Sequence, residues 1–159
     1  MTSLEQEIGK LLCQRGLTLG LVESATGGLL SHLITNVPGS SDYYKGSLIP
    51  YSNQLKANLV RVKEDTINNY GAVSSQIVEE MAQGGRRILG VDICLADTGI
   101  AGPGGAVSEK PVGLFYIGLS HKGGTYSRRH YVRRNREQNK MSAAEAALLW
   151  LKEYLISLE

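Results

Sequence analysis

The chain has 159 residues, a size at which a domain buries roughly 70% of its unfolded surface and can hold one complete core. With 42% apolar residues, 20% charged residues and a net charge of +2, its composition is that of a soluble globular protein with no general electrostatic pull toward nucleic acid or membrane. No apolar run approaches the roughly 20 residues that cross a bilayer, and "MTSLEQEIGKLL" carries acids without a signal peptide's long apolar core, so a cytoplasmic protein is expected.

Cys13 and Cys94 lie far apart in apolar contexts and form no CxxC pair, which reads as two core thiols rather than a disulfide. His32, His121 and His130 have no metal-ligand spacing, so neither a metal nor another cofactor is expected.

In chain order, residues 2–15 predict a helix, with Leu4, Ile8, Leu11 and Leu12 on one stripe, Thr2 and Glu5 in capping-box spacing and Gly16 at the exit. "TLGLVES" (18–24) reads as a short buried strand, and "TGGLLSHLIT" (26–35) as a helix stopped by Pro38-Gly39. "GSLIPYS" (46–52) is the next strand, with Pro50 marking an edge or bulge, and "NQLKANLV" opens a helix at Asn53. Residues 62–70 read as polar and turn-like, and Ser75–Leu89 as a helix closed by Gly90. "DICLADT" (92–98) is a strand entering the glycine-rich "GIAGPGGAVSEKPVG". "LFYIGLSH" and "TYSRRHYV" flank Gly123-Gly124 as a hairpin, and Ser142 with Glu145 opens a long final helix. Early strands alternate with helices and a hairpin comes late. The expected fold is therefore a three-layer α/β/α sandwich on a mixed, mostly parallel sheet, spanning residues 1–159 as one domain.

In such sheets ligands bind beyond the carboxyl ends of the parallel strands. Three segments leave strands there: Glu23–Gly28, Tyr51–Lys56 and Thr98–Gly105. If those strands are neighbours, one crevice holds Ser24, Tyr51, Lys56 and Thr98. Ser24 has two readings, because a serine before a helix is also a favoured N-cap, worth about 1 kcal/mol. No histidine has an obvious place in the crevice, which leaves a Ser-His-Asp triad poorly supported. Most lysines near helix starts are solvated, but in a first turn the helix dipole and burial both favour the neutral amine, which can accept a proton. Lys56 is therefore the candidate base, and Tyr51 could orient it. The glycines of 98–105 can turn N–H groups toward an anion, yet they match neither GxGxxG nor GxxxxGK[ST]. Asp97 could serve a hydrogen-bond network or cap that loop. Strand alternation splits the arginines of "SRRHYVRRNR" over two faces, favouring a solvated edge strand over a nucleic-acid surface, while Arg136 could still reach a phosphate.

Together, "ESATGGLL", "PGSSDYYKGSLIPYSNQLK", "GAVSSQIVEEMAQGGR", "DTGIAGPGG" and "EKPVG" resemble, in order and over roughly residues 4–155, the CinA C-terminal domain, the nicotinamide-nucleotide amidase family. The resemblance implies a metal-independent amidase that converts nicotinamide mononucleotide to nicotinate mononucleotide and ammonia, in a three-layer fold that oligomerises with itself. Carried over by motif, the site residues are Ser24, Ser41, Tyr51, Lys56, Thr98 and Arg136. The adjoining Thr26, Gly27, Gly99, Gly102 and Gly104 are expected to bind the pyridine mononucleotide. Three positions depart from the family pattern: Ala25 stands for a usual cysteine, Asp97 for a small apolar residue, and "RNREQNK" for a GDRxxVR segment.

The expected mechanism is a Ser/Lys amidase. Ser24 is the favoured nucleophile, because Ser41 precedes the 46–51 strand and starts about 17–20 Å away at 3.3 Å per residue. Ser41 becomes the alternative if its loop folds back or a second subunit supplies it. A non-catalytic nucleotide- or partner-binding module is the rival reading, to which Asp97 and the altered arginine segment lend support.

Overall fold

The computed structural model describes residues 1–158. Its helices are α1 (Leu4–Arg15), α2 (Leu29–Thr35), α3 (Asn53–Val60), α4 (Glu64–Tyr70), α5 (Ser75–Leu89) and α6 (Arg136–Ser157). The strands are β1 (Leu19–Val22), β2 (Tyr44–Leu48), β3 (Ile93–Gly99), β4 (Leu114–His121) and β5 (Gly124–Tyr131), and a 3-10 turn at Ser40–Asp42 precedes β2.

The sheet order is β2-β1-β3-β4-β5. β1 is parallel to both β2 and β3, whereas β4 is antiparallel to β3 and β5. Only β4 therefore runs against the other strands, the mixed, mostly parallel sheet that the strand–helix alternation predicts. Side-chain alternation divides the core. Leu19, Leu21, Ile93, Leu95, Ile117 and Leu119 pack with α1, α2 and α6 on one face. Val22, Cys94 and Ala96 pack with Val60, Ile77, Val78, Met81 and Ala82 on the other. The result is the expected three layers.

α5 lies close against its face. A Cβ on Gly118 would stand 2.6 Å from the Val78 carbonyl oxygen, and one on Gly85 2.2 Å from Val22 Cγ2. Neither position has room for a side chain, so bare backbone sets how near the helix approaches β1 and β4. That approach carries the loop at 71–74, which leads into α5, over the end of β3.

Several boundaries differ from the sequence expectation for identifiable reasons. Segment 64–70 is helical rather than turn-like: Glu64 and Asp65 sit in its first turn, where the dipole favours acids, and Gly71 ends it. The capping box of α1 is Ser3 with Gln6, not Thr2 with Glu5. α6 starts at Arg136 rather than Ser142, because Asn135 and Gln138 form its capping box. α3 is capped by Ser52, whose hydroxyl accepts from the Leu55 N–H at 3.1 Å, one residue before the expected Asn53. Cys94 is buried as expected of a core thiol, but Cys13 is exposed on the outer side of α1.

Candidate active site

β1, β2 and β3 are parallel neighbours, so their carboxyl ends release Glu23–Ser24, Ile49–Tyr51 and the loop after Gly99 at one edge of the sheet. A pocket of about 300 Å3 opens there. Ser24, Tyr51, Lys56, Thr98, Gly99, Gly102, Gly104 and Arg136 line it, together with Ala25, Asn53 and the 72–73 loop. A larger cavity, about 710 Å3, lies at the opposite end of the sheet between the close of α5 and the β4–β5 turn. It is lined by Arg86, Arg87 and Lys122, and its one serine hydroxyl, that of Ser120, is engaged with Thr125. Of these two, the smaller pocket combines a serine, a buried lysine and turned backbone, and so it is the candidate site.

Ser24 does not cap α2. The chain makes a full turn through Ala25–Gly28 before the helix begins, and the N-cap position falls on Gly28, which has no side chain. The Glu23 carboxylate caps the helix instead, accepting from the N–H groups of Gly28 at 3.1 Å, Leu30 at 2.8 Å and Ser31 at 3.0 Å. It also accepts from the Ser31 hydroxyl at 2.6 Å. This relieves Ser24 of the capping role. Its hydroxyl meets no hydrogen-bond partner among the described residues, although the residue is only 6% exposed and faces the pocket.

Lys56 sits in the first turn of α3, buried, with Nζ donating to the Tyr51 carbonyl oxygen at 2.9 Å. Burial pushes its pKa below the ordinary 10.5, and the Asp97 charge offsets part of that fall. Among the described residues no carboxylate lies within ion-pair distance, so the amine is held by one carbonyl and left electrostatically disposed to lose its proton. Thr98 donates its hydroxyl to the Ala72 carbonyl oxygen at 2.7 Å, pinning the loop that forms one wall.

Arg136, the first residue of α6, crosses to the mouth of the pocket. Its Nη1 donates to the Gly102 carbonyl oxygen at 2.8 Å and its Nη2 to the Tyr51 hydroxyl at 3.5 Å. Asn139, one turn on and fully buried, donates to the Ala101 carbonyl oxygen at 3.0 Å. The start of α6 is thereby tied to the glycine-rich loop. The N–H groups of Ala25, Gly104 and Gly105, all on the pocket wall, donate to no group among the described residues.

Three of the sequence candidates are not brought to the pocket. Ser41 is exposed in the 3-10 turn before β2, at the far end of that strand. Thr26 is buried beneath the Ser24 turn, where its hydroxyl lies 2.7 Å from Glu23 Oε1 and in a very short contact with Asp97 Oδ2. Gly27 is exposed on the outer side of the same turn. Conversely, Glu23, Asn139 and the 71–74 loop shape the site without having been singled out from the sequence. A trace of Glu23's part is legible: the segment leading into α2 offers two glycines at its cap and an acid five residues ahead.

Fold and site together define a three-layer α/β domain with a serine- and lysine-bearing polar pocket at its parallel strand ends. The chain belongs to the CinA C-terminal domain family, whose model matches residues 1–155. It is 48% identical over 157 residues to a competence-damage inducible protein of Halothermothrix orenii, a match covering 97% of this chain and 38% of that protein. It is likewise 48% identical over 147 residues to a CinA-like protein of Shewanella amazonensis, covering 91% of this chain and 35% of that protein. The chain thus spans less than two-fifths of the length of these relatives. Among solved structures it superposes with a TM-score of 0.95 on the competence damage-inducible protein A of Klebsiella pneumoniae, at 29% identity over 98% of this chain and 97% of that one. A second K. pneumoniae structure, of the CinA superfamily, gives a TM-score of 0.94 at 28% identity. Among the described residues, no helix is long and apolar enough to cross a membrane.

Proposed function

We propose that the chain is an amidohydrolase that converts nicotinamide mononucleotide to nicotinate mononucleotide and ammonia, with Ser24 as nucleophile and Lys56 as its base. One observation carries the reading: an unengaged serine hydroxyl and a buried lysine with a lowered pKa share one pocket at the strand ends. In its neutral form Lys56 Nζ takes the Ser24 proton, and Oγ attacks the carboxamide carbon. Negative charge develops on the carboxamide oxygen, where the free N–H of Ala25, the residue after the nucleophile, is a suitable donor alongside those of Gly104 and Gly105. The Lys56 ammonium then returns its proton to the departing nitrogen, and ammonia leaves an acyl ester on Ser24. Lys56 next takes a proton from water, hydroxide attacks the ester, and the carboxylic acid product departs as Ser24 recovers its proton.

Substrate orientation follows from the ends of the pocket. Lys56 and Ser24 mark the carboxamide end. Arg136, whose guanidinium uses two of its five N–H donors on Gly102 and Tyr51, faces the mouth and suits the 5′-phosphate. The test is incubation with nicotinamide mononucleotide, following ammonia and nicotinate mononucleotide, beside Lys56→Ala. Stoichiometric product from the wild type and its loss in the variant support the reading. A folded wild type that makes no product overturns it in favour of a binding module, and product insensitive to the lysine change overturns the dyad.

A further inference from the structure

Directly behind the Ser24 turn, and outside the pocket, lies a fully buried acid that neither capping nor any ion pair accounts for. Asp97 is the residue before Thr98 on β3. Strand alternation turns Thr98 toward the pocket and α5 and turns Asp97 to the opposite face, under the turn that joins β1 to α2. There Oδ1 accepts from the Thr26 N–H at 3.0 Å and, at a longer 3.4 Å, from the Ser24 N–H. Oδ2 contacts the Thr26 hydroxyl, whose oxygen also lies 2.7 Å from Glu23 Oε1. One side chain thus ties the backbone on both sides of Ala25 to the central strand.

We propose that Asp97 is a positioning residue of this site: its carboxyl holds the Ser24–Thr26 turn so that the Ser24 hydroxyl faces the pocket. The kinetic readout rests on the amidase reading; the hold on the turn does not. The charged groups that act across this space are few. Glu23 meets the same Thr26 hydroxyl from the end of β1, and the Asp97 charge is felt by Lys56 on α3. β4 places apolar Ile117 beside Asp97, and from α6 the Lys140 ammonium reaches the outer side of the turn, 3.7 Å from where a Cβ on Gly27 would stand. A small apolar residue in place of Asp97 would leave the buried Thr26 N–H without its acceptor, so the turn is organised around the acid.

Two variants separate the roles. Asp97→Asn keeps an acceptor toward the two N–H groups and removes the charge. Asp97→Ala removes both. Because the amide oxygen still accepts from the turn, Asp97→Asn is expected to retain kcat far better than Asp97→Ala. Asp97→Ala is expected to lower kcat ~10–100-fold with KM within ~3-fold, since a displaced nucleophile loses rate rather than binding. Denaturation curves exclude variants that do not fold. Wild-type kcat in a folded Asp97→Ala would overturn the proposal and leave Asp97 a buried structural acid. A wild type that never releases ammonia would instead overturn the amidase reading, and the proposal is then read from hydrogen exchange of the Ser24–Thr26 amides, faster in Asp97→Ala than in Asp97→Asn if it holds and unchanged if it fails.

Discussion

Lys56 Nζ reaches back past the start of its own helix to the carbonyl oxygen of Tyr51, 2.9 Å away. This bond fixes the amine at the pocket wall without supplying a carboxylate that would keep it charged. Lys56→Arg keeps a cation and a donor but has no accessible neutral form, so it should fall as far as Lys56→Ala, ~100–10,000-fold in kcat/KM. In the wild type, kcat/KM should rise with pH and level off below the ordinary lysine value of 10.5, because burial lowers the Lys56 pKa and the deprotonated form is the active one. Steady-state kinetics across pH measure both. Near-wild-type activity in Lys56→Arg is incompatible with a base.

Glu23 should matter to folding more than to chemistry. Its carboxylate accepts from the N–H groups of the Gly28 cap, Leu30 and Ser31 and from the Ser31 hydroxyl while fully buried. Glu23→Ala should destabilise the chain by at least ~3 kcal/mol in urea denaturation, because it strands these donors in the interior. Glu23→Gln should lie between the two. An alanine variant within 1 kcal/mol of wild type, a threshold of about a single ordinary hydrogen bond, contradicts the capping role.

Much of the site could be read from the chain, and the misses have physical causes. Tyr51, Lys56 and Thr98 were legible because alternating strands and helices place successive carboxyl ends on one side of the sheet. The cap of α2 was not, because a serine before a helix is normally its own cap; the intervening turn that separates Ser24 from α2 appears only once Glu23 is seen beneath it. α4 was missed because "EDTINNY" holds a lone aliphatic residue, Ile67, and shows no apolar stripe. Thr26 looked like a ligand group beside two glycines, but it is aimed at Asp97, a residue far away in sequence. Such long-range partners leave no local periodicity to read.

The pH dependence of stability should carry the signature of Asp97. Burial raises its pKa from 3.8 to about 6, opposed by the hydrogen bonds from Thr26 and reinforced by Glu23. The Thr26 hydroxyl has one proton to give, so with both acids ionised one of its two carboxylate contacts has no hydrogen in it. Between these two pKa values the native state holds a proton that the unfolded chain has released, so this contribution is complete below pH 3.8 and lost as pH rises through about 6. Its size is on the order of 3 kcal/mol. Denaturant titrations at pH 4 and pH 7 should show Asp97→Asn gaining on the wild type as pH rises. Parallel behaviour of the two proteins contradicts the raised pKa.

Arg136 should act on binding and discriminate by phosphate. With nicotinamide mononucleotide, Arg136→Ala should raise KM ~10–100-fold while kcat changes only a few-fold, because a bidentate guanidinium–phosphate contact is made equally before and during reaction. With the dephosphorylated nucleoside, wild type and variant should have similar KM values. An equal KM penalty on both substrates would mean that Arg136 acts only by holding Gly102 and Tyr51.

The identity of the nucleophile is tested most directly by trapping the acyl-enzyme. The protein is mixed with nicotinamide mononucleotide, quenched in acid during turnover, digested, and mapped by mass spectrometry, with Ser24→Ala and Ser41→Ala run alongside. The expected adduct is a nicotinate-mononucleotide ester on the peptide containing Ser24, absent in Ser24→Ala and retained in Ser41→Ala. An adduct on Ser41, or undiminished turnover by Ser24→Ala, would contradict the account.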